Sequence, residues 1–189
     1  MIVDYARCLI VTCAVVYYAS DATEIDRPLR DAIFLACLLV SFILDLVDGY
    51  LARRMGLESR LGAILDVGLD LVSHSLLWYA SEWPLAGLLI GLEWLAGILV
   101  VRFIVIENEA WKSRLADHYW RFVRVYFRNG QKNLVSGYSN VAHFCLPAAL
   151  FLGYSDGWLM VLTVPGVILY EAVTAVMIHS MYSDSVPRA

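Results

Sequence analysis

The stretch Asp45–Asp70 reads D-L-V-D-G-Y-L-A-R-R-M-G-L-E-S-R-L-G-A-I-L-D-V-G-L-D, and the rest of the chain is interpreted around it. Asp45 and Asp48 close one apolar run, and Asp66 and Asp70 open another. At about 100° per residue, spacings of three and four place each pair of carboxylates on one face of its helix. A carboxylate at a membrane boundary is costly unless a cation offsets its charge. The stretch therefore predicts a metal site between the ends of two helices, at the membrane boundary of a helical membrane protein.

Composition places the chain among membrane proteins. Its 189 residues are 60% hydrophobic and 17% charged, whereas soluble domains are about 45–50% apolar and about 25% charged. The length favours a single domain covering residues 1–189. No P-loop, dinucleotide fingerprint or nucleic-acid signature is present, so no nucleic-acid partner is predicted. The four cysteines lie in apolar runs without metal-ligand spacing and are interpreted as buried small hydrophobes.

The apolar runs predict an all-α polytopic fold with six transmembrane helices, each near the roughly 20 residues that a span requires. The predicted helices cover residues 2–20, 28–50, 60–80, 84–106, 137–153 and 158–181. The segment 107–132 is too charged to span. Part of it predicts an amphipathic helix on the cytoplasmic membrane surface. The aromatic side chains expected at interface depth are Trp111, Tyr119, Trp120, Phe122, Tyr126 and Phe127.

Basic residues predict the orientation of the spans. Lys and Arg concentrate in the 50–60 loop, the 107–136 segment and the C-terminal tail, while the opposite side carries Arg27 and Arg30. By the positive-inside rule, the 50–60 loop between the two aspartate pairs (the aspartate loop) and both termini face the cytoplasm. The compartment is then the endoplasmic reticulum in a eukaryote or the inner membrane in a bacterium.

The residues around the four aspartates suit a nucleotide diphosphate held by metal ions. Hard cations such as Mg²⁺ or Mn²⁺ prefer carboxylate and phosphate oxygens, and a pair of them can brace a diphosphate during displacement. Gly49, Ala52 and Gly62 leave space for a ligand beside the carboxylates. The planar fork of Arg53 can bind a phosphate. One or two acids at helix ends could be caps, but four at this spacing favour a site.

The pattern D-x-x-D-G-x-x-A-R-x8-G-x3-D-x3-D resembles the signature of the CDP-alcohol phosphotransferases, and all eight fixed positions are met. The resemblance implies six transmembrane helices, a homodimer, and attack of an alcohol on the β-phosphorus of a CDP-linked lipid with release of CMP. It implies that Asp70 contacts a metal ion and also deprotonates the alcohol. The other implied metal ligands are Asp45, Asp48 and Asp66. The residues implied to line the CDP pocket are Gly49, Ala52, Arg53 and Gly62.

Outside this motif the chain resembles eukaryotic-type phosphatidylinositol synthases, which implies CDP-diacylglycerol and myo-inositol as substrates. The similar pieces are D-Y-A-R at 4–7, G-A-I-L-D at 62–66 and R-V-Y-F at 124–127, and they make Arg124 a candidate for acceptor binding. Leu71 stands where those synthases are expected to carry arginine, and Glu93 where an aspartate is expected. These departures lie near the acceptor side and leave glycerol-3-phosphate and serine open as acceptors.

Two interpretations from other classes remain. The first is a catalytically silent protein of the same fold that binds lipid or serves as a partner subunit. The second is a transporter, which is disfavoured because the acids cluster at one membrane face. Three further charged groups carry local expectations: Asp4 and Arg7 are predicted to neutralise each other, and Glu93 is either functional or structurally paired. His143 is interpreted as isolated in an apolar run.

Overall fold

The computed structural model describes residues 2–19, 27–55, 59–106, 111–118, 120–155 and 157–185; within them the side chains at 2, 46, 48–53, 55, 111, 113–114 and 184–185 are not described. These residues form eight α-helices and no β-strand. The helices are α1 (Ile2–Ala19), α2 (Arg27–Met55), α3 (Arg60–Ala80), α4 (Ala86–Ile106), α5 (Trp111–Ala116), α6 (Arg121–Phe127), α7 (Leu134–Phe151) and α8 (Gly157–Ser185). The all-α prediction therefore holds for the described part of the chain.

The chain divides into two compact units, Met1–Leu77 and Trp78–Ala189. In the first unit, α1 packs along α2. The interface is built from apolar side chains one helical turn apart, with Val11 and Ala14 on α1 and Phe34 and Leu38 on α2 all buried.

The ends of α2 and α3 follow from local sequence. Pro28 occupies the first turn of α2, where its missing N–H and fixed φ suit a helix start. Ser59 precedes α3, and its hydroxyl oxygen accepts a hydrogen bond of 3.0 Å from the backbone N–H of Gly62. This N-cap satisfies one of the free donors at the start of the helix that carries Asp66 and Asp70.

In the second unit, α8 packs against α4 and α7. One part of its core consists of Trp78, Ala86, Leu89, Leu146 and Val167. The short helix α6 contacts both α7 and α8.

Helices α7 and α8 approach closely at Gly166. A Cβ atom placed on Gly166 would lie 2.4 Å from the Cβ of Ala142, which is far inside van der Waals contact. The Ser139 hydroxyl donates a hydrogen bond of 2.9 Å to the Gly166 carbonyl across the same contact. Small residues that let backbones approach are a usual means of packing helices in a membrane.

Gly166→Ala is expected to destabilise the protein by about 1–3 kcal/mol, because the added methyl would clash with the Ala142 methyl and the Tyr138 ring. The measurement is thermal unfolding in detergent micelles. Gly137→Ala on α7 is the matched control, because nothing lies within 4 Å of a Cβ at that position. A Gly166→Ala protein that melts at or above the temperature of the Gly137→Ala protein would contradict the close approach.

Four of the described helices are long and apolar enough to cross a membrane: Arg60–Ala80, Ala86–Ile106, Leu134–Phe151 and Gly157–Ser183. They correspond to the third to sixth predicted spans. Many of their large apolar side chains are exposed, including Leu88, Ile98, Val161 and Ile168. This outward apolar surface is what a lipid environment requires. The spanning of α1 and α2 stays a prediction.

The segment 107–132, part of which is predicted to form an amphipathic surface helix, contains two short helices, α5 and α6, in its described residues. Of the aromatic residues predicted at the membrane interface, Trp120 and Phe122 are exposed, whereas Tyr126 and Phe127 are buried in the protein. The Tyr126 hydroxyl donates a hydrogen bond of 3.0 Å to Asn140 Oδ1 on α7. Tyr126 and Phe127 therefore pack inside the second unit. The placement of the segment on the membrane surface stays a prediction.

Candidate functional site

Three of the four motif aspartates converge on Arg7, which lies on α1. One terminal nitrogen of Arg7, Nη1, donates to Asp45 Oδ1 and to Asp66 Oδ1, both at 2.8 Å. The other, Nη2, donates to Asp70 Oδ1 at 2.5 Å. Asp45 comes from α2, and Asp66 and Asp70 from one face of α3. The guanidinium thus joins three helices at the motif.

Burial differs sharply between the arginine and its partners. The Arg7 side chain is 1% exposed, while those of Asp45, Asp66 and Asp70 are 29%, 34% and 46% exposed. A buried cation is tolerated only when charge-assisted hydrogen bonds replace its hydration, and the three carboxylates supply them. The carboxylates present their remaining surface outward. The three carboxylates are therefore partly accessible to a ligand.

The donor set fits a divalent cation. Two oxygens that each lie 2.8 Å from one nitrogen can be at most 5.6 Å apart, so Asp45 Oδ1 and Asp66 Oδ1 are already gathered closely. Hard cations such as Mg²⁺ prefer carboxylate oxygens. The guanidinium carries one positive charge and faces three carboxyl groups, so the site can accept further positive charge. The donor type and the convergence of the three aspartates are compatible with a metal site, which stays a prediction.

The remaining predicted site residues are less fully described. Asp48, Gly49, Ala52 and Arg53 lie in the last turns of α2, but their side chains fall outside the described residues. Gly62 lies in the first turn of α3, where a Cβ would come within 3.1 Å of the Ser59 hydroxyl. The small size of Gly62 is thus explained in part by the helix cap, and the roles of these residues in binding CDP stay predictions.

Arg124 belongs to the second unit. It lies on α6, where its Nη1 donates a hydrogen bond of 3.2 Å to the His118 carbonyl. Burial lowers the pKa of His118, and the positive charge of Arg124 lowers it further. The proposed contact of Arg124 with an acceptor stays a prediction.

Arg7 is the functional candidate that reasoning from the sequence missed. Its spacing from Asp4 suggested a local pair, whereas its partners at the site lie 38, 59 and 63 residues away. A usable signal was present: α1 carries one arginine and, apart from Asp4, no other charged residue, in a chain with four motif aspartates that need cations. An ionisable residue in such a helix requires a partner, and the aspartates were the available ones.

A second polar cluster lies within the second unit, centred on His143 of α7. The sequence suggested an isolated histidine, and this interpretation was wrong. Glu93 Oε1 on α4 lies 2.9 Å from His143 Nε2, and Glu171 Oε1 on α8 lies 3.7 Å from Nδ1. Trp78 Nε1 donates to Nε2 at 3.0 Å, and the imidazole stacks on Tyr170 with ring centroids 4.0 Å apart.

His143 Nε2 lies between two hydrogen-bonding groups, Glu93 Oε1 at 2.9 Å and Trp78 Nε1 at 3.0 Å. An imidazole nitrogen carries either one proton or one lone pair, so Nε2 either donates to Glu93 or accepts from Trp78. Glu93 and His143 are both almost fully buried. Paired groups of this kind fix helices relative to one another, because separating them leaves a polar group dehydrated without its partner. Glu93 is therefore structurally paired through α7.

Comparison with known proteins gives the family. Residues 2–180 match the family described as CDP-alcohol phosphatidyltransferase, which is nearly the whole chain. The chain belongs to the CDP-alcohol phosphatidyltransferase family. The resemblance carried by the eight-position motif is thereby confirmed, and the residues that meet at Arg7 are motif residues of a family of transferases.

One relative with a curated name is similar over part of the chain. It is the archaetidylinositol phosphate synthase of Aeropyrum pernix, 38% identical over 78 residues. The similarity covers 40% of this chain and 39% of the relative, so the chain matches about two fifths of that relative's length. No solved structure matches the chain.

Proposed function

We propose that the protein transfers a phosphatidyl group from CDP-diacylglycerol to a polar alcohol, with myo-inositol as the favoured acceptor, giving phosphatidylinositol and CMP. The observation that carries the proposal is the convergence of Asp45, Asp66 and Asp70, three fixed positions of the family motif, at one partly exposed site. Membership of a transferase family sets the class of reaction.

The residues present suit each requirement of this reaction. The alcohol oxygen attacks the β-phosphorus, the bond from that phosphorus to the oxygen of CMP breaks, and the hydroxyl proton must be accepted. A positioned carboxylate increases the reactivity of an alcohol by taking this proton. Asp70 is the proposed base, because its side chain is the most exposed of the three at 46% and it is held in place by Arg7.

The proposed cofactors are two Mg²⁺ or Mn²⁺ ions held by Asp45, Asp48, Asp66 and Asp70. When bound, such ions neutralise the charge that develops on the diphosphate. Gly49, Ala52, Arg53 and Gly62 are proposed to line the CDP pocket. Their positions in the family motif are the support for these roles.

The choice of acceptor rests on similarity. The patches shared with phosphatidylinositol synthases favour myo-inositol. The name of the Aeropyrum pernix relative contains inositol and a further phosphate, which adds a phosphorylated inositol as a second candidate. Glycerol-3-phosphate and serine remain alternatives within the same chemistry.

The proposed setting is an integral membrane protein, active as a homodimer, with the aspartates facing the cytoplasm. The four apolar helices support membrane integration. The excess of Lys and Arg on the side of the aspartate loop supports the orientation.

The test of the acceptor is CMP release by the purified protein in lipid micelles containing CDP-diacylglycerol and Mn²⁺. Myo-inositol, inositol phosphate, glycerol-3-phosphate and serine are offered in parallel. Release that requires myo-inositol is the expected result. Release with another alcohol would replace the acceptor and keep the chemistry, and no release with any of them would favour the catalytically silent alternative.

Arg124→Ala is expected to raise KM for the alcohol about tenfold while changing KM for CDP-diacylglycerol less than about twofold, because a guanidinium that binds the acceptor is worth about one charge-assisted hydrogen bond. The measurement is initial rates of CMP release with each substrate varied. Arg128→Ala, at the exposed end of α6, is the matched control. A larger change in KM for the CDP-lipid would assign Arg124 to the nucleotide pocket instead.

A further inference from the structure

Arg7 lies outside the eight-position motif, yet it makes the most concentrated set of charged contacts among the described residues of the first unit. Three carboxylate oxygens from two helices accept hydrogen bonds from its two terminal nitrogens. Its side chain is 1% exposed. Arg7 therefore occupies the same carboxylates that are proposed to bind a metal ion.

We propose that Arg7 is an internal counter-cation, which holds Asp45, Asp66 and Asp70 together in the absence of metal and competes with a divalent ion for them. The inference rests on the proposed metal site at these aspartates. Arg7 would then affect how tightly the aspartates bind a metal ion, and it acts as a positioning residue.

Electrostatics supports the first part of the proposal. Three carboxylates gathered within a few ångströms repel one another, and the repulsion grows as solvent is removed. The guanidinium, placed between them at 2.5–2.8 Å, converts this repulsion into three charge-assisted hydrogen bonds. Without Arg7 or a metal ion, the aspartate-bearing faces of α2 and α3 should separate.

The same geometry supports competition. Mg²⁺ binds carboxylate oxygens at about 2.0–2.1 Å, which is shorter than the hydrogen bonds of 2.5–2.8 Å to Arg7. An ion bound to these carboxylates is therefore close to the guanidinium, and two cations in a half-buried site repel. Part of the metal's binding free energy is spent on this repulsion. Removing the positive charge of Arg7 should strengthen metal binding.

The test is titration of the detergent-solubilised full-length protein with Mn²⁺, in which the electron paramagnetic resonance signal of free Mn²⁺ reports binding. Arg7→Met keeps an unbranched stem of similar length and removes the guanidinium. This variant is expected to bind Mn²⁺ about tenfold more tightly than the wild type. Arg7→Lys, which keeps the charge but lacks the planar fork, should show a smaller gain. Arg30→Met is the matched control in the same unit, since Arg30 pairs with the adjacent Asp31 at 3.3 Å, and should bind as the wild type does.

Thermal unfolding separates this role from simple packing. Mn²⁺ should raise the melting temperature of Arg7→Met by more than it raises that of the wild type, because the ion replaces the missing cation. An Arg7→Met protein that folds only when Mn²⁺ is present agrees with the proposal. Equal destabilisation with and without Mn²⁺, or unchanged or weaker Mn²⁺ affinity, would overturn it.

Misfolding of Arg7→Met and a lack of Mn²⁺ binding at the aspartates are decided by other variants. If Arg7→Met does not fold under any condition, Arg7→Lys decides, and wild-type Mn²⁺ affinity in that variant would overturn the proposal. If the wild-type protein binds no Mn²⁺, or if Asp66→Asn binds Mn²⁺ with wild-type affinity, the proposed metal site is refuted. The proposed role of Arg7 is then refuted with it. A wild type that binds Mn²⁺ through Asp66 while Arg7→Met gains no affinity refutes the inference alone.

Discussion

Asp70→Asn is expected to lower kcat for CMP release by about 10²–10⁴-fold, the usual contribution of a general base. The amide is nearly the same size as the carboxylate and its oxygen still accepts a hydrogen bond from Arg7, but it cannot take the proton of the alcohol. Binding of the CDP-lipid should be largely retained, because Asp45 and Asp66 remain. The measurement is the rate of CMP release at saturating substrates, together with binding of CDP-diacylglycerol.

Asp31→Asn is the matched control for this experiment. Asp31 lies near the start of α2, where it pairs with Arg30, so its loss should leave kcat within about twofold of the wild type. An Asp70→Asn protein that turns over at the wild-type rate would remove Asp70 as the base.

Asp45→Ala is expected to weaken metal-dependent binding of CDP by about 100-fold or more. Loss of a partner outside the first ligand sphere of a metal already costs about 10–100-fold, and loss of a ligand should cost at least as much. The fold should survive, because Arg7 keeps its contacts with Asp66 and Asp70. Calorimetric titration of the purified variant with CDP, with and without Mg²⁺, measures the effect.

The control is Asp31→Ala on the same helix, which should bind CDP as the wild type does in the presence of Mg²⁺. Tight Mg²⁺-dependent binding by the Asp45→Ala protein would refute the ligand role of Asp45.

The carboxylate site is the part that local sequence predicted best. Spacings of three and four residues put each aspartate pair on one helix face, and one short connection brought the two helices within reach. The structure places Asp45, Asp66 and Asp70 together as those rules require. The counter-cation was missed because helical spacing relates only residues on one helix. Arg7 reaches α2 and α3, and spacing along α1 offered Asp4 alone.

The cluster at His143 illustrates the same limit. Glu93, His143 and Glu171 come from three helices, and each is a single polar residue in an apolar run. Spacing gives no partner for any of them. The principle that an ionisable group within an apolar helix needs a partner did predict that Glu93 is either paired or functional. Which helix supplies the partner depends on packing, and only the structure gives that.

The aromatic segment between α4 and α7 was predicted less well. A face of Tyr, Trp and Phe side chains at helical spacing suits a membrane interface and a protein interior equally. Here Val123, Tyr126 and Phe127 of α6 are buried, and burial raises the pKa of Tyr126 to about 12. Sequence alone did not distinguish lipid from the neighbouring helices as the apolar partner.

We propose that Asp45, Asp48, Asp66 and Asp70 form the metal-dependent site of a CDP-lipid transferase. The most direct measurement is CMP release from CDP-diacylglycerol and myo-inositol by the purified wild-type protein and by Asp66→Asn, each freed of metal with a chelator and then titrated with Mn²⁺. We expect no CMP release without metal, recovery of release by the wild type as Mn²⁺ is added, and at most a small recovery by Asp66→Asn. Release that persists in the chelator, or an Asp66→Asn protein that recovers fully at the same Mn²⁺ concentration, would contradict this proposal.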